Sequence, residues 1–220
     1  MAHLHRYLAQ TAVNRYGALQ KPEELEWLLD KLPSDLHTIV EIGCDAGGTL
    51  YLWNRIAPTV LGIDLPGGPF GTGRPLTPHG STLILADSHD VRTYGAAMGF
   101  LYGQEADMLF LDGDHTYEGV VQDFFTYRLL VRESGAVVLQ DIRDHHRNDV
   151  GVHRLWKAIK VRWPGRTEEF MSGNEDWAGI GILWNPKVKT EDEMMDPSGW
   201  NAQLQKEGAE WITQLRQEEL

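Results

Sequence analysis

The sequence predicts a doubly wound α/β fold built on a mostly parallel sheet. Three observations carry that expectation. Largely apolar runs recur at Thr38–Ile42, Val60–Asp64, Thr82–Ala86, Met108–Leu111 and Ala136–Leu139, as expected for parallel strands covered on both faces. Segments of helical spacing stand between several of them, which is the βαβ alternation of such sheets. Glycines or acidic residues follow the runs at their carboxyl ends, where open α/β sheets bind ligands.

The elements follow in order. Pro22 suits a first helical turn, Glu23, Glu24 and Glu26 favour the positive helix end, and Leu25, Leu28 and Leu29 build an apolar face; the helix should stop near Pro33. TIVEI (38–42) breaks into GCDAGGT, and Leu50–Ile56 can resume as helix, giving strand, tight turn, helix. After VLGID (60–64), the Gly- and Pro-rich stretch to Gly80 reads as a long loop. Tyr117–Val131 spaces Val120, Val121, Phe124, Phe125 and Leu129 as a crossover helix, and Val152–Val161 reads as another, ended by Pro164. Thr167–Met171 and Ala178–Trp184 look like a terminal strand pair, and Pro197–Leu220 like a docked or partly frayed helix. Three segments result: an N-terminal helical extension (1–35), a ligand-binding domain (36–186) and a C-terminal helical tail (187–220).

Composition narrows the function. A length of 220 residues with 42% hydrophobic residues and eight Trp suits one packed domain with decorations. Lys plus Arg number 20 against 32 Asp plus Glu, and a net charge of −12 repels phosphate backbones and anionic membranes. Nucleic acid and membrane partners are therefore not expected. The single cysteine, Cys44, excludes an internal disulfide and a Cys-based zinc cluster, and packing beside the glycine turn accounts for it. No stretch approaches the roughly 20 apolar residues of a membrane span, and Met1–Gln20 lacks the apolar run of a signal peptide. A cytoplasmic location fits these features.

Four strand-end constellations carry chemistry. Glu41-Ile42-Gly43-Cys44-Asp45-Ala46-Gly47-Gly48-Thr49 lies at a strand-to-helix turn, where Gly43 permits a tight bend and Gly47 and Gly48 clear side chains from an approaching ligand. An ordinary glycine turn is the bland alternative. The dinucleotide fingerprint needs glycine where Asp45 stands, which counts against NAD. Asp64, about 20 residues further on, can accept both hydroxyls of a ribose. Asp87-Ser88 can receive an adenine amine, a weak indication alone. Finally, Asp112-Gly113-Asp114-His115 packs two further carboxylates and an imidazole into four positions.

Together VEIGCDAGGT, GIDLPGGPFG, ADSHD, MLFLDGDHTYEGV, VVLQDI and GVHRLW resemble a class I S-adenosylmethionine-dependent methyltransferase. More narrowly, they resemble the small methyltransferase-domain family related to cephalosporin-hydroxylase-like proteins and sugar O-methyltransferases. The resemblance runs from about Leu36 to Trp184. It implies a seven-stranded Rossmann-like sheet with a C-terminal antiparallel hairpin and S-adenosylmethionine as methyl donor. Glu41, Gly43 and Gly47 would surround the methionine moiety, Asp64 the ribose, and Asp87 with Ser88 the adenine; Asp45, Gly48, Thr49 and Asp112 complete the expected donor contacts. Related metal-dependent enzymes place acidic ligands at positions that map to Asp112, Gln140 and Asp141. Gln140 removes a charge there, so Mg²⁺ on Asp112 and Asp141 is optional and its effect should be weak or absent.

The expected reaction moves a methyl group to an oxygen, or second to a nitrogen, of a small molecule. His115 is the expected base, with Asp114 or Asp141 as its orienter. His145 and His146 compete for that role but suit a solvated acidic loop equally well, while His3, His5, His37 and His79 read as surface residues. Trp177 and Trp184 read as core or interface aromatics. Two alternatives remain: an NAD-dependent oxidoreductase, and a non-catalytic module that binds the donor. The acceptor has no readable code in the sequence, and homo-oligomerisation is left open.

Overall fold

Side chains on successive residues of a strand point to opposite faces, and in the central strands both sets are apolar, which forces the sheet into the middle of the molecule. The computed structural model of the protein describes residues 2–66, 76–144, 150–174 and 177–186. Its strands are β1 (Thr38–Ile42), β2 (Thr59–Asp64), β3 (Thr82–Leu85), β4 (Ala106–Leu111), β5 (Val131–Gln140), β6 (Thr167–Phe170) and β7 (Ile180–Trp184). They form one seven-stranded sheet in the order β3-β2-β1-β4-β5-β7-β6. The first five strands are parallel, and β7 runs antiparallel to both β5 and β6. The doubly wound sheet and its final hairpin are as the sequence predicts.

Among the described residues, six α-helices sandwich the sheet. On one face, α1 (Ala2–Tyr16), α2 (Pro22–Lys31) and α3 (Gly48–Trp53) pack on Ile39, Met108, Phe110 and Val138. On the other, α4 (Val91–Leu101), α5 (Tyr117–Tyr127) and α6 (Val152–Arg162) pack on Val40, Leu109, Leu111 and Val137. None of the helices among the described residues is long and apolar enough to cross a membrane.

The helix expected over Leu50–Ile56 is α3 at Gly48–Trp53, and the larger departures from the sequence reading lie at α5, β5 and α4. The crossover helix α5 ends at Tyr127, followed by a single 3₁₀ turn, and Val131 already belongs to β5. The apolar spacing continues across this junction because helix and strand face the same core. β5 begins well before Ala136; its first residues bulge, with Val131 opposite Ala106 and Ala136 opposite Met108. Polar Arg132-Glu133-Ser134 conceals that start. Helix α4 has a clear beginning in hindsight, Asp90 accepting the Arg92 amide as N-cap. The expected tail helix, with Trp200 and Trp211, lies outside the described residues, as does most of the Gly/Pro-rich loop.

The N-terminal extension is docked through buried polar contacts as well as apolar ones. Glu24, fully buried, accepts the amides of Ser172 and Gly179, each at 3.1 Å, and the Ser172 hydroxyl at 3.4 Å. Lys21 Nζ donates to the Ser172 carbonyl at 2.9 Å and stands over the Trp177 ring. These contacts fasten the start of α2 to the loop between β6 and β7. Replacing Glu24 with Ala strands two backbone donors, so unfolding in denaturant should show a loss of about 2–4 kcal/mol. A loss below about 0.5 kcal/mol, the level of an ordinary surface change, would mean that this clamp does not stabilise the fold.

Candidate active site

The strand order reverses between β1 and β4, so the loops leaving these neighbours part to opposite faces and open a crevice at their carboxyl ends. The glycine turn after β1 meets the loop after β4 there. The Asp112 amide donates to the Ile42 carbonyl (2.8 Å), and Gly43, at φ +81°, donates to Ile63 (2.9 Å). A Cβ at residue 43 would stand 2.1 Å from the Asp112 carbonyl oxygen. Glycine is therefore obligatory where β1 leaves the sheet.

Gly47 and Gly48 serve a purpose the sequence does not show. A Cβ on Gly47 would stand 2.1 Å from the Thr77 carbonyl oxygen, and one on Gly48 would stand 2.1 Å from the Ala18 amide nitrogen. The chain itself fills the space expected for a ligand: the loop after β2 returns over the turn, with Thr77 donating to Ala46 at 3.1 Å, and the α1–α2 loop closes from the other side. Thr49 is buried beside Glu41.

Asp64 ends β2 as expected, but its carboxylate is engaged. Oδ2 accepts the amides of Cys44 (2.8 Å) and Asp45 (2.9 Å), and Oδ1 accepts that of Leu65 (2.7 Å). It therefore fixes the glycine turn, including Asp45 at φ +45°. Glu41 is fully buried, and Thr49 and Trp53 lie beside it without closing a hydrogen bond to either carboxyl oxygen. Burial, reinforced by the charges of Asp112 and Asp64, pushes it up to about 8. At neutral pH it is a carboxylic acid with a proton to donate. At the end of β3, Asp87 is exposed and accepts the His89 amide, while the Ser88 carbonyl accepts the Tyr127 hydroxyl.

The loop after β4 brings together the densest polar group. Asp112 Oδ1 lies 3.1 Å from His115 Nε2, and Asp141 Oδ2 lies 3.6 Å from the same nitrogen. Asp141, after β5, holds a strained φ of +61°. The ring's hydrogen-bond partner is thus Asp112, where the sequence suggests Asp114 or Asp141. Asp114 is exposed; it accepts the Thr116 amide (2.8 Å) and packs over Gly119, whose added Cβ would meet its Cγ at 2.1 Å. With Thr116 as N-cap, it shapes the start of α5. Burial pushes Asp112 up to about 6 against the pull of His115. Burial opposes a charged imidazole, but the hydrogen bond and charge of Asp112, with Asp141 and Asp114, override it and raise His115 to about 9.

Gln20 is the site residue that sequence reasoning misses. Carried in by the α1–α2 loop, buried, it donates from Nε2 to Asp112 Oδ2 at 2.6 Å, while its Oε1 has no partner. A glutamine 92 residues before Asp112 carries no local indication of this contact. Two other residues also depart from the sequence reading: His5 pairs with Asp30, and half-buried His79 stands edge-on to Tyr16 and Tyr51. His145 and His146 lie outside the described residues.

The ligand atoms of Asp112, His115 and Asp141 lie within 4.8 Å of one another, close enough to share a cation. Two carboxylates suit a hard ion, as does the amide oxygen of Gln140, buried and without a partner one residue before Asp141. The proton held by His115 competes for the same space. The donor set fits Mg²⁺, with one fewer charge than three carboxylates would supply.

Solved structures share this fold. The chain is similar to the MycE methyltransferase of the mycinamycin biosynthetic pathway, in complex with Mg and SAH (16% identity, TM-score 0.58, covering 83% of this chain and 56% of that one). It is also similar to the O-methyltransferase TomG from Streptomyces achromogenes, involved in tomaymycin synthesis and in complex with SAM (17% identity, TM-score 0.55, 82% and 89%). An rRNA methylase from Streptococcus thermophilus shares the fold at 8% identity and a TM-score of 0.52, with 76% and 98% covered. The likeness is one of fold: a seven-stranded, mostly parallel sheet with an antiparallel terminal hairpin, shared with methyltransferases. Residues 40–142 match the family model described as "Methyltransferase domain". Among curated proteins, the chain is 32% identical over 131 residues to uncharacterized protein R132 of Acanthamoeba polyphaga mimivirus, covering 55% of this chain and spanning 58% of that protein.

The short contact between Asp112 and His115 predicts a readable titration. In Asp112→Asn the imidazole should titrate well below the native value of about 9, back toward its ordinary value near 6.5, when followed by NMR of the ring. An unchanged value would assign the whole effect to Asp141 and Asp114.

Proposed function

We propose that the protein transfers a methyl group from S-adenosylmethionine to an oxygen of a small molecule. The observation that carries this reading is His115, held between Asp112 and Asp141 at the crevice where the glycine turn meets the loop after β4. The names of MycE and TomG, a methyltransferase and an O-methyltransferase of small-molecule pathways, support it. The net charge of −12 favours a small acceptor over RNA. A cytoplasmic location accords with a single, buried cysteine.

When bound, the donor supplies an electrophilic methyl group on a sulfonium that is its own leaving group. This chain's residues align the partners and take up a proton. Asp64 offers the ribose the second lone pair of Oδ1, beside the Leu65 amide, while Oδ2 holds the turn; Asp87 and Ser88 face the adenine, and the acid form of Glu41 donates toward the methionine moiety. Neutral His115 takes the acceptor's hydroxyl proton, and Asp112 then stabilises the imidazolium. Asp112, Asp141 and Asp114 raise the ring to about 9, and a positive charge beside them would lower it and favour that neutral form. Asp112 and Asp141 would hold Mg²⁺, which supplies further positive charge. With Gln140 replacing a carboxylate, this contribution is small.

The discriminating experiment incubates the protein with methyl-labelled donor and a panel of hydroxylated metabolites. Transfer to an oxygen is expected, with little loss on adding a chelator; donor binding without transfer would favour a sensing module, and tight NAD binding an oxidoreductase. In His115→Ala, single-turnover methylation should slow by about 10²- to 10⁴-fold with donor affinity nearly intact. Loss of affinity instead would make His115 a donor contact. Asp64→Asn keeps an oxygen for the Cys44 and Asp45 amides but loses the charge, so calorimetry should show S-adenosylhomocysteine affinity falling by roughly 1.5–3 kcal/mol, the range for a charged hydrogen bond. Unchanged affinity would remove Asp64 from the ribose site and leave it the role of fixing the turn.

A further inference from the structure

One buried ion pair has no part in the chemistry above. Helix α5 ties down the short stretch that follows β3 through three side chains. The Tyr127 hydroxyl donates to the Ser88 carbonyl at 2.8 Å, Gln122 Nε2 donates to the His89 carbonyl at 3.3 Å, and Asp123 Oδ1 lies 3.4 Å from His89 Nε2. Asp123 is only 2% exposed, in a helix whose neighbouring side chains Val120, Val121, Phe124 and Phe125 are core residues. A carboxylate in that setting is costly unless it is paired. Its other oxygen faces the loop after β4, where a Cβ on Gly113 would stand 3.4 Å from Asp123 Oδ2. One carboxylate therefore meets the stretch carrying Ser88 and lies beside the loop carrying Asp112 and His115.

We propose that His89 and Asp123 are positioning residues for the donor's nucleoside: their ion pair holds the Asp87–Ser88 turn in the shape that receives the adenine. The inference rests on the donor reading given above. It makes donor affinity depend on the proton carried by His89. Three carboxylates face that ring: Asp123 from α5, Asp87 from its own turn and Asp114 from the loop after β4. The contact with Asp123, opposed by burial and aided by the charges of Asp123, Asp87 and Asp114, raises His89 to about 8. Burial raises Asp123 against the pull of His89. A raised imidazole is charged below its ordinary value near 6.5 and loses its proton as pH rises through about 8. Above that, Asp123 is left buried opposite a neutral ring and the turn loses one of its three ties to α5.

The test is calorimetric affinity for S-adenosylhomocysteine at pH 6.5 and pH 9.5, in the native protein and in Asp123→Asn. The amine of the probe and the His115–Asp112 pair titrate in both proteins, so the difference between the two affinity ratios reports the His89–Asp123 pair. Native affinity should fall more steeply with pH than the variant's by at least about fivefold, the lower end of ordinary coupling between two sites. At pH 6.5 the variant should bind more weakly than native. Equal ratios in two folded proteins would overturn the proposal, because a pair that served packing alone would leave the pH profile of affinity unmoved. Should Asp123→Asn fail to fold, His89→Gln, at a position with a quarter of its side chain exposed, makes the same comparison. Failure of the native protein to bind the probe at either pH would overturn the donor reading itself.

Discussion

The carbonyl of Asp112 occupies the place a side chain at residue 43 would take, and the rest of the site depends on that contact. It lets β1 and β4 lie side by side to their last residues and then send their chains in opposite directions. Any larger residue at position 43 would force Asp112 away from the glycine turn, and with it His115. The crevice and the placement of His115 are thus two consequences of one missing Cβ.

Around this contact the fold concentrates carboxyl groups that water would ordinarily keep apart. Glu41, Asp112 and Asp123 are buried or nearly so, and burial raises all three. Each has a different use for its environment. Glu41 becomes a proton donor, Asp112 is hydrogen-bonded to the His115 ring, and Asp123 leans on His89. A field of this sign suits a cationic donor better than a phosphate-bearing cofactor, in agreement with the glycine spacing that departs from a dinucleotide fingerprint.

The extension before β1 is part of this arrangement and not an appendage. Its loop sets Ala18 on Gly48 and Gln20 on Asp112, and Glu24 fastens the same region to the β6–β7 loop. Residues remote in sequence meet over a crevice that the sheet alone would leave open. The short resemblance motifs, which start near Leu36, therefore miss the loop that carries Ala18 and Gln20.

Much of this was legible in the sequence, because it rests on local rules. Apolar runs buried on both faces identify parallel strands, and a strand-end carboxylate or glycine marks the edge where ligands bind, so Glu41, Asp64, Asp112, His115 and Asp141 stand out from their neighbours alone. Their partners do not. That Asp64 holds the Cys44 and Asp45 amides, that Gly47 and Gly48 make room for Thr77 and Ala18, and that Asp112 instead of Asp114 meets the imidazole are decided by tertiary structure. The physical reason is range. Strand and turn preferences act over a few residues, whereas a hydrogen bond or a close contact depends on which distant chain arrives, and the winding of the sheet sets that arrival.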